Sequence, residues 1–390
     1  MNAEERKRDK VKSAGRRAGL LFGLCPAAHA LLFFSLLVTA AFFILRSNTD
    51  LMTLLSENYV RAYHKTFGRI FGFTELSVAE MIVAVFISAI LIYVIRAIVL
   101  LFLKKNKLRR LYKTVVILSA AAATVYAGFC LLWGVNYYAR GFPESAGIEA
   151  KPVSAKELET LTRYFAGIAN EYAPLVAGDT EGRFRENETL IFEKSASLYD
   201  NTAAEYRFLA GPALRVKPMK LSYFMSYVNF TGFFFPFTGE ASVNTDSPQC
   251  LLPATIAHEI AHQRGVAAED EANFTAVLSC MMSDEPEYRY SASLLAYIHL
   301  GNALFGADRD AWTEIYGTLD YRVRADLEEN REYWAKFDTR AAKVTEAVYS
   351  EFLRNYGQES GMKSYGACVD LLVAYYKEEA EAQYAGAAGK

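Results

Sequence analysis

The sequence predicts three transmembrane helices followed by a mainly helical α+β ectodomain with a small sheet. Three observations carry that prediction. Long apolar runs are confined to the first third of the chain, at residues 18–45, 78–103 and 114–133. Lys and Arg cluster beside those runs. Beyond residue 138 the periodicity becomes helical and is interrupted by a single stretch rich in Tyr, Phe and Val.

Each apolar run is long enough to cross a hydrocarbon core of about 30 Å, which takes about 20 helical residues. The first is broken only by small residues, Pro26 and His29. The second contains Arg96 near its far end, where the side chain can snorkel towards the neighbouring basic cluster. A cleaved signal peptide is the competing reading of the first run. Its basic leader is long and two further runs follow, so an anchor is expected instead. The leader, residues 1–17, carries Arg6, Lys7, Arg8, Lys10, Lys12, Arg16 and Arg17. The loop between the second and third runs carries Lys104, Lys105, Lys107, Arg109, Arg110 and Lys113, whereas residues 47–77 are much poorer in Lys and Arg. Basic flanks mark the cytoplasmic side. The expectation is therefore a multi-pass protein of the cell membrane with a cytoplasmic leader (1–17), a three-span region (18–138) and an extracytoplasmic domain (139–390). The lipid bilayer is its first partner, and Trp133-Gly-Val-Asn-Tyr-Tyr138 reads as an aromatic belt at the outer interface.

The formal net charge of −2 gives no argument for nucleic acid. Cys25 and Cys130 fall inside predicted spans. Cys250, Cys280 and Cys368 are widely spaced, form no CxxC pair and read better as small buried residues than as a disulfide framework, although one bridge among them stays open.

In the ectodomain, Ser154 and Glu157 form a capping box ahead of Leu158, Leu161, Tyr164, Phe165 and Ile168 at helical spacing. A second helix is expected over residues 190–209. Residues 215–244 read as strands and turns, broken at Gly232, Pro236 and Gly239. Helical spacing resumes at 287–304, 312–337, 340–355 and 364–380. The aromatic run from Phe233 to Phe237 could line a groove that holds an extended peptide, dip towards the bilayer, or simply pack a sheet under helices. His299, alone on a mostly apolar helix, reads as structural.

The densest chemical signal is His258-Glu259-Ile260-Ala261-His262. On a helix, residues i and i+4 share a face, so His258 and His262 can grip one metal ion with Glu259 beside it. Two histidines on a solvated helix face are the plain alternative. Gly265 can end the helix in a left-handed conformation. Glu269-Asp270-Glu271-Ala272-Asn273 then opens a second helix. A catalytic zinc takes three protein ligands and keeps a fourth position for water. Glu269 shares a face with Asn273 and is the expected third ligand, with Glu271 second. Acidic residues in a first helical turn also favour the dipole without any metal.

The chain resembles a bacterial, largely Firmicute and Bacteroidete, family of membrane proteins classed as a domain of unknown function, with three N-terminal spans and an HExxH ectodomain. The resemblance rests on Trp133-Gly-Val-Asn-Tyr-Tyr138, Pro236-Phe-Thr-Gly-Glu-Ala241, His258-Glu-Ile-Ala-His-Gln-Arg-Gly265, Glu269-Asp-Glu-Ala-Asn273, and a tail near Tyr356-Gly-Gln-Glu-Ser-Gly361 and Ser364-Tyr365. The site is also similar to that of gluzincin-type peptidases, which implies a zincin-like fold and a third ligand at Glu269. Asn273 stands where the gluzincin pattern has Asp, and the interval from His262 to Glu269 is shorter than in most gluzincins. The resemblance implies a Zn2+-dependent hydrolase of amide bonds in extracytoplasmic peptides or proteins, with Glu259 as general base. Tyr365 and Arg264 are the candidates to steady the tetrahedral intermediate. The competing expectation is a non-catalytic binding or signalling protein that keeps the zincin-like fold. An intramembrane protease is disfavoured because polar sequence flanks the motif.

Overall fold

The computed structural model describes residues 22–212, 214–357 and 365–388. The leader and the tail stretch at 358–364 lie outside the described residues. The chain divides into two compact units: residues 1–48 with 80–132, and residues 49–79 with 133–390.

In the first unit, three helices are long and apolar enough to cross a membrane: α1 (Pro26–Leu45), and, beyond the loop that leads into the second unit, the helices over residues 78–103 and 107–132. Between them in the chain come α2 (Thr49–Leu55), a π-turn at Ser56–Val60 and α3 (Arg61–Phe71), after which the apolar helices are α4 (Val78–Leu103) and α5 (Lys107–Leu132). Helix α1 lies against α5, where Ser35 Oγ and Thr124 Oγ1 meet at 3.0 Å and His29 Nε2 meets the Tyr112 hydroxyl at 2.8 Å. Helix α4 leaves its Ile, Leu, Val and Phe side chains exposed nearly all round, as at Ile92 and Ile95. An apolar helix exposed on every face is stable only in an apolar solvent.

The second unit is mainly helical around one small sheet. Its elements are α6 (Ala155–Tyr172), β1 (Lys217–Pro218), β2 (Gly232–Phe235), β3 (Glu240–Val243), α7 (Leu252–Gln263), α8 (Glu269–Met281), α9 (Pro286–Ala307), α10 (Arg309–Gly317), α11 (Tyr321–Ala335), α12 (Arg340–Asn355) and α13 (Tyr365–Ala388). The capping box forms as the spacing predicts: Ser154 and Glu157 satisfy each other's backbone N–H at the start of α6. Helices α6, α8, α9 and α13 surround the core with Phe165, Phe274, Tyr288, Leu300 and Leu372.

Two expected helices are broken. Residues 190–209 form only short turns (Glu188–Lys194, Asp200–Glu205 and Arg207–Leu209), because Tyr199 turns inward to donate to the Ala257 carbonyl at 2.7 Å. Residues 312–337 split between α10 and α11, where Asp320 caps the second piece through the Arg322 N–H at 2.8 Å. Cys250, Cys280 and Cys368 are buried free thiols.

The sheet has the order β1-β3-β2, with β1 parallel and β2 antiparallel to β3. Residues 49–79 clamp onto it. Lys217 is fully buried and donates to the carbonyls of Phe71 (2.8 Å) and Leu76 (3.0 Å) and to Glu240. Glu240 in turn accepts from the N–H groups of Val78 (3.1 Å) and Ala79 (3.0 Å), which are otherwise orphans at the start of α4. Two charges out of water are tolerable here because every neighbour is a partner. Lys217→Met leaves Glu240 buried beside nothing but two amides. It is expected to cost about 3–5 kcal/mol, read as a lowered denaturation midpoint of the detergent-solubilised protein; an unchanged midpoint contradicts the clamp.

Candidate functional site

The site is built by α7 and α8. Pro253 stands in the first turn of α7, where its missing N–H costs nothing. Helix α7 ends at Gln263, and Gly265 adopts φ +92° as the sequence predicts. The Val266 N–H returns to the Ala261 carbonyl at 3.1 Å, closing the turn. The reversal lays α8 against α7, and the small residues Ala257, Ala261, Ala272 and Ala276 are all buried.

Three donor atoms converge as a result. His258 Nε2 lies 3.2 Å and His262 Nε2 3.8 Å from Glu269 Oε2. The three residues offer ligand atoms all within 4.8 Å of one another. Zinc with bonds of about 2.0–2.1 Å in a tetrahedron needs ligand atoms roughly 3.3–3.4 Å apart. The spacing fits such an ion. The opposite ring nitrogens are engaged: His258 Nδ1 with Asn273 Oδ1 at 2.9 Å, and His262 Nδ1 with the Val266 carbonyl at 2.7 Å. A carbonyl only accepts, so His262 carries its proton on Nδ1 and presents a lone pair at Nε2 when neutral. Asn273 thereby orients His258.

Electrostatics set the two carboxylates apart. Burial acts against a charged Glu269, yet the hydrogen bonds and charges of His258 and His262 hold its carboxyl well below the usual range. Burial also acts against protonated His262, but Glu269 and Glu259 outweigh it and raise the imidazole to about 9. Glu259 is 3% exposed, and burial lifts its carboxyl to about 7 against the opposing pull of His262 and His258. Its Oε2 has no hydrogen-bond partner among the described residues. A buried acid left without a partner is costly. Gly232 on β2 makes room for it, since a Cβ there would stand 2.5 Å from Glu259 Oε1.

Glu271 turns elsewhere. It accepts from the Phe142 N–H at 2.7 Å and occupies the space beside Gly141. His299 is buried, and burial together with His258 lowers its pKa to about 4, in keeping with a neutral structural residue. Arg264 is buried with its guanidinium over the Tyr199 ring, 5.7 Å from the centroid. The side chain of Tyr365 lies outside the described residues.

Two contributors escape a local reading of the sequence. Tyr349, on α12, donates from its hydroxyl to Glu269 Oε1 at 2.7 Å. Burial and the neighbouring Glu269 push that phenol well above its ordinary pKa, so it stays a donor. Trp133 stands with its ring edge-on to His262, centroids 5.6 Å apart, and with Phe234 of β2 at 5.0 Å. The stretch expected as an aromatic belt is a 3-10 turn at Gly134–Tyr138 that packs beside the site. Nothing near Tyr349 in sequence announces its role, because the contact spans 80 positions.

The arrangement can hold a divalent ion through two imidazoles and one carboxylate, with a second carboxylate alongside. The profile of a family described as "Protein of unknown function (DUF3810)" matches residues 56–373 of the chain. No curated protein and no solved structure matches.

Zinc content of the purified protein separates the two acids. Glu269→Ala is expected to lose stoichiometric zinc, whereas Glu271→Ala keeps the metal and loses only thermal stability; the reverse pattern would reassign the ligand. Tyr349→Phe removes one hydrogen bond to Glu269 and is expected to weaken zinc affinity by about 10–100-fold, measured by competition with a chromogenic chelator. Unaltered affinity would make Tyr349 a bystander.

Proposed function

We propose that this chain, which belongs to the DUF3810 family, is a membrane-tethered zinc-dependent peptidase with a zincin-like site, hydrolysing amide bonds of extracytoplasmic peptides or proteins. The observation that carries this reading is the buried Glu259, whose Oε2 has no hydrogen-bond partner among the described residues, beside the His258–His262–Glu269 cluster. A purely structural metal site has no use for such a carboxylate, so the non-catalytic alternative leaves its cost unexplained.

Zinc, when bound, supplies a Lewis acid that polarises an amide carbonyl and makes water acidic enough to ionise near neutral pH. His258 and His262 would hold the ion through Nε2, each held in orientation from Nδ1. Glu269 would complete the ligand set, and the Tyr349 hydroxyl donates to its Oε1. Glu259 Oε2 takes the proton of the attacking water and returns it to the leaving amine nitrogen. Strand β2 is an outer strand of its sheet, next to Glu259 through Gly232. An extended peptide added to that edge would lie along the site.

Topology supports an extracytoplasmic site. Residues 49–79 and 133–390 form one compact unit, and the two apolar helices α4 and α5 separate them in the chain, so both segments sit on one side of a bilayer. The basic leader and the basic loop at 104–113 favour a cytoplasmic location for the opposite side.

The test is peptide cleavage by the full-length protein and by Glu259→Gln. The variant is expected to bind zinc as the parent does and to lose about 10²–10⁴-fold in kcat. Retained activity in a zinc-loaded Glu259→Gln protein would rule out this mechanism.

A further inference from the structure

A group of buried hydrogen-bond donors beside the α7–α8 turn lacks acceptors, and the metal chemistry above makes no use of it. We infer that these donors form a binding site for one small oxyanion, a phosphate or carboxylate group, separate from the His258–His262–Glu269 cluster.

The site is a cavity of about 100 Å³, several times what one water needs. All of its walls belong to the unit made of residues 49–79 and 133–390. Ser56 and Arg61 come from the π-turn and the start of α3, Asn136 from the 3-10 turn, and Val266 and Ala268 from the connection into α8.

Gly265 makes the room. A Cβ at that position would stand 3.4 Å from Arg61 Nε, 3.9 Å from Arg61 Nη2 and 3.9 Å from Ser56 Oγ. The missing side chain therefore leaves space against the Nε–Nη2 edge of the guanidinium. Nη1, on the other edge, donates to the Phe208 carbonyl at 2.5 Å. That leaves facing the space the two-pronged edge that matches a carboxylate or a phosphate.

The donors around this space are unsatisfied. Arg61 Nε has no hydrogen-bond partner among the described residues. Asn136 is 7% exposed, and the Ser56 hydroxyl donates to its Oδ1 at 2.7 Å. Its Nδ2 is left without a partner among the described residues. Arg264, just ahead of the glycine and equally buried, adds Nε and Nη1 in the same condition. The first residues of α8 bring the positive end of a 13-residue helix to the same wall.

Charge separates an anion from trapped water. Burial acts against the charge on both guanidiniums, and Arg61 further disfavours that of Arg264. The carboxylates acting on them, Glu57 and Asp200, are exposed. Glu271, also on the cavity wall, is turned onto the Phe142 N–H at 2.7 Å. Arg140 on the same wall is already engaged by Asp50 and Glu144. Water can satisfy the orphan donors but leaves two buried cations repelling each other, whereas an oxyanion removes both costs. Bound there, it would brace the turn between α7 and α8 from the side of Gly265.

The experiment is equilibrium dialysis of the full-length protein, in an uncharged detergent, against radiolabelled inorganic phosphate or acetate at constant chloride. One ion is expected per chain, and the more tightly held of the two identifies the oxyanion class. Arg61→Met removes the fork and is expected to weaken binding about 10–100-fold. Asn136→Asp keeps the acceptor for Ser56 and puts a negative charge into the cavity wall. It is expected to abolish binding while leaving the denaturation midpoint without ligand at or above the parent's, so it decides the matter if Arg61→Met fails to fold. No binding of either ion above the chloride background, or binding that survives Asn136→Asp, overturns the inference. Neither zinc content nor peptide cleavage enters the measurement, so it stands or falls apart from the hydrolase reading.

Discussion

The site depends on the tight reversal between α7 and α8. Gly265 at φ +92° lets the chain turn within a few residues, and the Val266 carbonyl that emerges is the partner of His262 Nδ1. The same turn brings Glu269 to both imidazoles and Asn273 to His258. One backbone conformation therefore sets the Glu269 carboxylate and both histidine orientations at once. A Cβ at position 265 would strain that conformation, and the three donor atoms would separate together.

Around that reversal the molecule invests in buried polar chemistry. The Lys217–Glu240 pair joins the start of α4 to the sheet, and the sheet brings Gly232 under Glu259. His64, on α3, stacks edge-on against Phe234 at 4.9 Å, and Gly239 passes so close to its carbonyl that a Cβ would stand 2.7 Å away. Asp326 is a further case: buried, it accepts from the Phe184 N–H at 2.8 Å and from the Tyr290 hydroxyl at 2.5 Å. Each such group is affordable only with its partners in place.

What was legible in the sequence was local. The i, i+4 histidines, the glycine after them, the capping box at Ser154 and Glu157, and the apolar runs all express short-range periodicity, and each shows in the coordinates. What escaped reading is long-range. Tyr349 reaches Glu269 across 80 positions and Lys217 reaches Phe71 across 146. The stretch between the first two apolar runs, marked in the sequence only by its scarcity of Lys and Arg over residues 47–77, contributes residues 49–79 to the unit that carries the site. Residues 190–209 have helical spacing, but the inward turn of Tyr199 outweighs a propensity worth only tenths of a kcal/mol per residue.

The most direct test of the account is the zinc X-ray absorption spectrum of the full-length protein purified without chelators. The account predicts one zinc per chain, bound only by nitrogen and oxygen at about 2.0–2.1 Å, with the scattering pattern of two imidazoles. A sulfur shell at about 2.3 Å, or a protein that takes up no zinc at all, would contradict it.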